Sequence, residues 1–157
     1  MPDKKTKDRA DEDLREGKTP STAAGEFVKE EMHHIREGKH GARSTKQAIA
    51  IGLSKARRAG VPLEPPEKGE TSEKTRKAAE KAYEAGQEKG GALRAPSRKR
   101  SRATSRALDR EGDRAASRPA LAKQAKRSAQ ERRGTPRSPK AAARRAASTR
   151  KRNRKTA

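Results

Sequence analysis

Three histidines, His33, His34 and His40, stand close together in the chain and near Glu30 and Glu37. Imidazole nitrogens joined by a carboxylate are a donor set for zinc and similar divalent ions. The spacing argues against that chemistry, because neighbours on a helix point about 100° apart. His33 and His34 would then address different faces, so a solvated polar surface is the expected reading and no metal ligand is assigned. Gly38-x-x-Gly41 lacks the Lys-Ser/Thr pair that a nucleotide-binding loop needs to reach phosphates and magnesium. The absence of Cys removes thiolate nucleophiles, disulfides and Cys-based zinc sites. The 21 carboxylates are interspersed with 43 Lys and Arg side chains, in a chain with little apolar surface to bury them and shift their pKa values. No catalytic residue and no cofactor is expected, and the chain is not expected to be an enzyme.

The chemistry the residues do support is electrostatic. The 157 residues carry a net charge of +22, and residues 92–157 hold 23 basic against 4 acidic side chains, a net of +19. Such a segment repels itself unless a polyanion neutralises it. It also repeats: Ser97-Arg98, Ser101-Arg102, Ser105-Arg106, Asp109-Arg110, Asp113-Arg114 and Ser117-Arg118 follow one another at a four-residue step. On a helix that step rises about 6 Å and overshoots a turn by about 40°, giving a slowly winding arginine stripe suited to a phosphate backbone. Gly112 and Pro119 argue against one unbroken helix, and the free tail is expected to be disordered. The nucleic-acid contacts expected from it are Arg94, Arg98, Lys99, Arg100, Arg102, Arg106, Arg110, Arg114, Arg118, Lys126, Arg127, Arg132, Arg133, Arg144, Arg145, Arg150, Lys151, Arg152, Arg154 and Lys155. The chain has no Trp, one Tyr and one Phe, Tyr83 and Phe27, and neither lies in the basic tract. Base stacking is therefore poorly served, which disfavours a sequence-specific reader of single-stranded RNA.

The elements that would carry these residues follow from the apolar pattern. Only 27% of the chain is hydrophobic, and Phe27, Val28, Met32, Ile35, Ile49, Ile51, Leu53, Val61 and Leu63 are the candidate core. Residues 1–20 read as a disordered, mixed-charge lead. Residues 21–63 read as a helical hairpin. Its first helix spans Ala23 to Glu37, capped by Ser21 or Thr22 and ended at Gly38. Its second begins at the capping box Ser44-Thr45-Lys46-Gln47 and is stopped at Gly60. The proline-rich stretch from Val61 to Pro66 could fold back over the pair. Residues 64–70 read as a linker and 71–89 as a polar helix with Ala78, Ala79, Ala82 and Tyr83 on its one apolar face. Residues 90–157 read as the disordered basic tail. The fold class is thus mostly α with extensive disorder. Arg43, Lys46, Lys55, Arg57 and Arg58 of the hairpin are further candidate contacts, with the last three at a helix C-terminus rather than the N-terminal end that usually meets bases.

Residues 31–60 hold a helix containing Met32, a basic-x-Gly turn at Arg36-Glu37-Gly38, and then Lys46-Gln47-Ala48-Ile49-Ala50-Ile51-Gly52-Leu53-Ser54-Lys55-Ala56-Arg57. This stretch resembles a small uncharacterised bacterial family. Its members carry a Lys-Gln-Ala-Ile-Ala-Ile-Ala-Leu-Ser-x-Ala-Arg helix, with Ala where this chain has Gly52. The resemblance implies a bacterial or phage origin and a small helical module, and brings no activity with it. The Ser138-Pro139-Lys140 and Ala-rich basic terminus resembles the tails of linker histones and bacterial histone H1-like proteins. The expected function is non-sequence-specific binding of duplex DNA, favoured over RNA, by a nucleoid-associated protein. The alternatives are an RNA- or ribosome-associated basic protein, or a protein-interaction module localised by its tail. A homodimer through the hairpin is a further expectation. No apolar run approaches the roughly 20 residues of a membrane span, and Met1 to Ala10 offer no apolar export segment. No membrane partner is expected, and the expected location is the cytoplasm, at the bacterial nucleoid.

Overall fold

A computed structural model describes residues 2–88 and 98–134, with the side chains of residues 100 and 132–134 left undescribed. Its described residues are mostly helical, in the order α1 (Lys4–Arg15), α2 (Pro20–Arg36), α3 (Thr45–Arg58), α4 (Glu73–Gln87), α5 (Arg98–Asp109), a short 3-10 turn η1 (Arg114–Ala116) and α6 (Arg118–Gly134). The chain divides into two compact units, Met1–Leu121 and Ala122–Ala157.

In the first unit α2 and α3 form the expected hairpin. Helix α2 starts earlier than its Ser and Thr residues indicate: Thr19 is the N-cap and accepts from the Thr22 amide, and Pro20 takes the first helical position. There the missing proline N–H costs nothing, because the first amides of a helix have no internal partner. Helix α3 begins as read, with Ser44 Oγ accepting from the Gln47 amide at 3.2 Å. The Gln47 side chain accepts in turn from an amide one residue further back, that of Arg43, at 3.0 Å. At the far end of α2, Gly38 adopts φ +70°, and the Lys39 amide donates to His34 O while the Gly38 amide donates to Ile35 O. This left-handed closure satisfies the last carbonyls of α2 and reverses the chain toward α3. The two helices cross closely at Gly52, where an added Cβ would lie 2.7 Å from Val28 Cα.

The lead is not disordered as expected. Thr6 and Ala10 are buried and Leu14 packs beside them, one stripe at a four-residue step that seats α1 against α2. The core forms two clusters. One gathers Ala10, Ala23, Ala24, Phe27, Ala56 and Val61, with Leu14, Leu53 and Leu63 against it. The other gathers Met32, Ile35, Ala42, Ala48, Ala115 and Ala116, with Val28, Ile49 and Leu121 against it. Val61 and Leu63 confirm that the proline stretch folds back. Arg57 holds it there, donating from Nε to Leu63 O at 3.1 Å and from Nη2 to Glu64 O at 3.2 Å. Helix α4 is capped by Ser72 and buries Ala79 and Ala82, while Ala78 stays exposed.

The second cluster takes in part of residues 90–157, read as a disordered tail, of which 90–97 and 135–157 lie outside the described residues. Residues 98–109 and 118–134 are helical, and Ala115 and Ala116 are buried in the hairpin's core. The link is made by backbone groups. Gly41 N donates to Leu108 O at 3.0 Å and Ala42 N to Gly112 O at 3.2 Å. Thr45 Oγ1 donates to Ala115 O at 2.6 Å, and Arg36 Nε to Ala116 O at 2.9 Å. The break expected at Gly112 falls between α5 and η1. In the second unit, described up to Gly134, Gln124 Nε2 donates to Ser128 Oγ and Arg127 pairs with Glu131.

Candidate nucleic-acid interface and a buried carboxylate–histidine cluster

Of the stripe, Arg98, Arg102 and Arg106 lie on α5, Arg110 just past its end, Arg114 on η1 and Arg118 at the start of α6. All six side chains are exposed, as is Lys99. Over α5 the four-residue step makes one face of arginine about 12 Å long from Arg98 to Arg106. Among the described residues none of these three arginines has an acidic partner, so their charge is open to an external anion. In the second unit Lys126 and Arg127 are exposed, with Arg127 Nε held 3.0 Å from Glu131 Oε1. Arg100, Arg132 and Arg133 lie in helical backbone. Arg94, Arg144, Arg145, Arg150, Lys151, Arg152, Arg154 and Lys155 lie outside the described residues.

The hairpin set divides. Arg43, Lys46 and Arg58 are exposed. Lys55 is half-buried and Arg57 buried, and both are engaged within the hairpin. Arg57 is buried on the carbonyls of the proline stretch, and desolvation pushes its guanidinium below the ordinary arginine value. Lys55 serves two carboxylates from α2, with Nζ 2.5 Å from Glu31 Oε2 and 3.5 Å from Glu30 Oε1.

Those carboxylates overturn the expectation that the chain has too little core to bury an acid. The Glu31 side chain is 1% exposed and Glu30 is nearly as enclosed. Neither oxygen of Glu31, nor Oε1 of Glu30, receives a hydrogen bond of acceptable geometry, so Lys55 approaches them off axis and acts by charge. Beside them stand His34 and His40, whose rings meet edge to face with centroids 6.2 Å apart. His40 Nε2 lies 3.1 Å from Glu31 Oε1, and His34 Nε2 lies 3.7 Å from Asp3 Oδ2. The divergence of His33 and His34 holds, since His33 is exposed. The partner His34 finds is His40, carried back by the Gly38 turn, and the surface expected to be solvated is largely enclosed.

Residues 19–68 match the model of a family of unknown function (DUF6496). The DUF6496 match begins at the N-cap of α2, takes in α3 and ends past the proline stretch, so it contains Glu30, Glu31, His34, His40 and Lys55. It leaves α1, α4 and the whole arginine stripe outside. No curated protein and no solved structure matches the chain. Among the described residues no helix is long and apolar enough to cross a membrane.

Proposed function

We propose that the chain binds duplex DNA through phosphate contacts of its basic C-terminal part, with little sequence preference, as a nucleoid-associated protein. The observation that carries this reading is the exposed face of Arg98, Arg102 and Arg106, unneutralised among the described residues, within a segment whose net charge is +19 over residues 92–157. Guanidinium groups suit phosphate because their fork meets two oxygens at once. The resemblance of the terminus to histone H1-like tails agrees with this, and so does the lack of aromatic side chains for base stacking.

The docked segment from Leu108 to Ala116 gives the reading its architecture. The family-matched hairpin anchors the start of the basic region, and the charge extends from that anchor. Arg43, Lys46 and Arg58 add charge on the hairpin itself.

Fluorescence anisotropy of full-length protein with duplex DNA, titrated at several salt concentrations, tests the proposal. Binding that neutralises about 8 phosphates loses about four decades of affinity over a fourfold rise in salt, because condensed counterions are released. Replacing Arg98, Arg102 and Arg106 together by Ala is expected to reduce the logarithmic salt slope by about 3. Affinity that does not respond to salt, or that favours structured RNA over duplex DNA at matched salt, overturns it.

A further inference from the structure

We propose that Glu31, His34 and His40 form a binding site for a divalent transition-metal ion, of the zinc or cobalt class, at the turn between α2 and α3. The inference is independent of the DNA-binding reading.

The argument starts from His40. Its Nδ1 lies 3.1 Å from Gly41 O. A carbonyl oxygen only accepts, so Nδ1 carries a hydrogen and Nε2 is the ring nitrogen left to take a proton or a metal ion. That Nε2 lies 3.1 Å from Glu31 Oε1, which is also an acceptor and has no hydrogen-bond donor of its own. An imidazole nitrogen and a carboxylate oxygen held this close in an enclosed place call for a positive species between them, a proton or a metal ion. A ring nitrogen fixed by a backbone carbonyl on its other side is the usual arrangement of a metal-bound histidine.

The surroundings supply the remaining donor and the charge. One donor atom from each of Glu31, His34 and His40 lies within 4.8 Å of the others. Ligands about 2.0–2.2 Å from a tetrahedral ion stand about 3.3–3.6 Å apart, so small imidazole rotations complete the set. Lys55 meets Glu31 through Oε2 and leaves Oε1 to His40. Asp3, Glu30 and His34 form a second such group within the same 4.8 Å limit. Asp3, Glu30 and Glu31 against Lys55 leave two negative charges, which one divalent cation balances. Two imidazoles and a carboxylate select zinc, cobalt or nickel over magnesium, which prefers all-oxygen octahedral sites.

Full-length protein stripped with a chelator is titrated with Co²⁺ alone, without nucleic acid, and then with Zn²⁺. One Co²⁺ per chain, with the visible absorption of a tetrahedral site and displacement by Zn²⁺, is expected. His34→Ala and His40→Ala each weaken uptake by at least about 100-fold, since losing even the outer partner of a ligand costs 10–100-fold. Glu31→Gln, which keeps the shape of the side chain, weakens it too, while His33→Ala leaves it unchanged. Circular dichroism of each metal-free variant separates loss of the site from loss of the fold. Absence of saturable uptake overturns the proposal, with a proton then bridging His40 and Glu31. Equal competition by Mg²⁺, or uptake as sensitive to His33→Ala as to His40→Ala, overturns it as well.

Discussion

Replacing Gly41 by Ala tests whether the start of the basic region is docked on the hairpin. A Cβ at this position would lie 1.8 Å from Glu111 O and 2.3 Å from its carbonyl carbon, where ordinary contact begins at 3.4 Å. Gly41 does not have a positive φ, so the cost is collision rather than backbone strain. The two segments must part by more than an ångström, which takes the bonds Gly41 N to Leu108 O and Ala42 N to Gly112 O beyond hydrogen-bonding distance. If the segment leaves altogether, the bonds from Thr45 and Arg36 go with them. Four bonds at about 0.5–1.5 kcal/mol each place the loss at about 2–6 kcal/mol. Native-state hydrogen exchange reads this locally. The Ala42 amide is expected to exchange at least about 30-fold faster in Gly41→Ala, while amides inside α2 and α3 keep more of their protection. Gly25→Ala is the control: it adds a methyl in open space on an exposed face of α2 and is expected to leave Ala42 unchanged. An Ala42 amide that exchanges as in an unstructured peptide in the wild type, or that ignores Gly41→Ala, refutes the docking.

Phe27→Ala removes the largest side chain of the first cluster, fully buried against Ala23, Ala24, Ala56 and Val61. A loss of about 3–5 kcal/mol is expected in denaturant unfolding followed by circular dichroism, and a change below about 1 kcal/mol would contradict the core described above. At the start of α4, Arg76 Nη2 lies 2.8 Å from Glu73 Oε1 and holds that carboxyl below its ordinary value of 4.5. The folded-state value is the lowered one, so the stabilisation is present above pH 4.5 and is lost as pH falls through the lower value. Titration of the Glu73 carboxyl by NMR is expected to return it toward 4.5 in Arg76→Gln.

What the sequence disclosed was governed by local physics. The cap at Ser44, the stop at Gly60 and the apolar step of Val28, Met32 and Ile35 all act within one turn or two of helix, and they are visible without the fold. Helix α1 was hidden because its signal is thin: Thr6, Ala10 and Leu14 carry the right spacing, yet every other position around them is charged or polar. The docked segment was hidden for another reason. Gly41, Ala42, Thr45 and Arg36 hold it largely through main-chain carbonyls, and a carbonyl has no signature in a sequence. The cation that meets Glu30 and Glu31 is Lys55, more than twenty residues away on the other helix, and such a pairing leaves no mark in the local sequence. Reading His33 and His34 as divergent was sound, but it could not show that the Gly38 turn returns His40 to His34.

The same turn joins the chain's two charge systems. Gly38 reverses the backbone, His40 then faces Glu31, and the next two residues, Gly41 and Ala42, donate to Leu108 and Gly112. A single stretch of five residues, 38–42, therefore touches the buried carboxylates on one side and the root of the arginine region on the other. The carboxylates concentrate negative charge inside the hairpin, where the low local dielectric makes an uncompensated charge costly. The arginines stay outside, where water or a polyanion can meet them. The two systems therefore meet different partners: Glu30 and Glu31 are committed to Lys55 and His40 inside the hairpin, while Arg98, Arg102 and Arg106 have no acidic partner among the described residues and are open to an external anion.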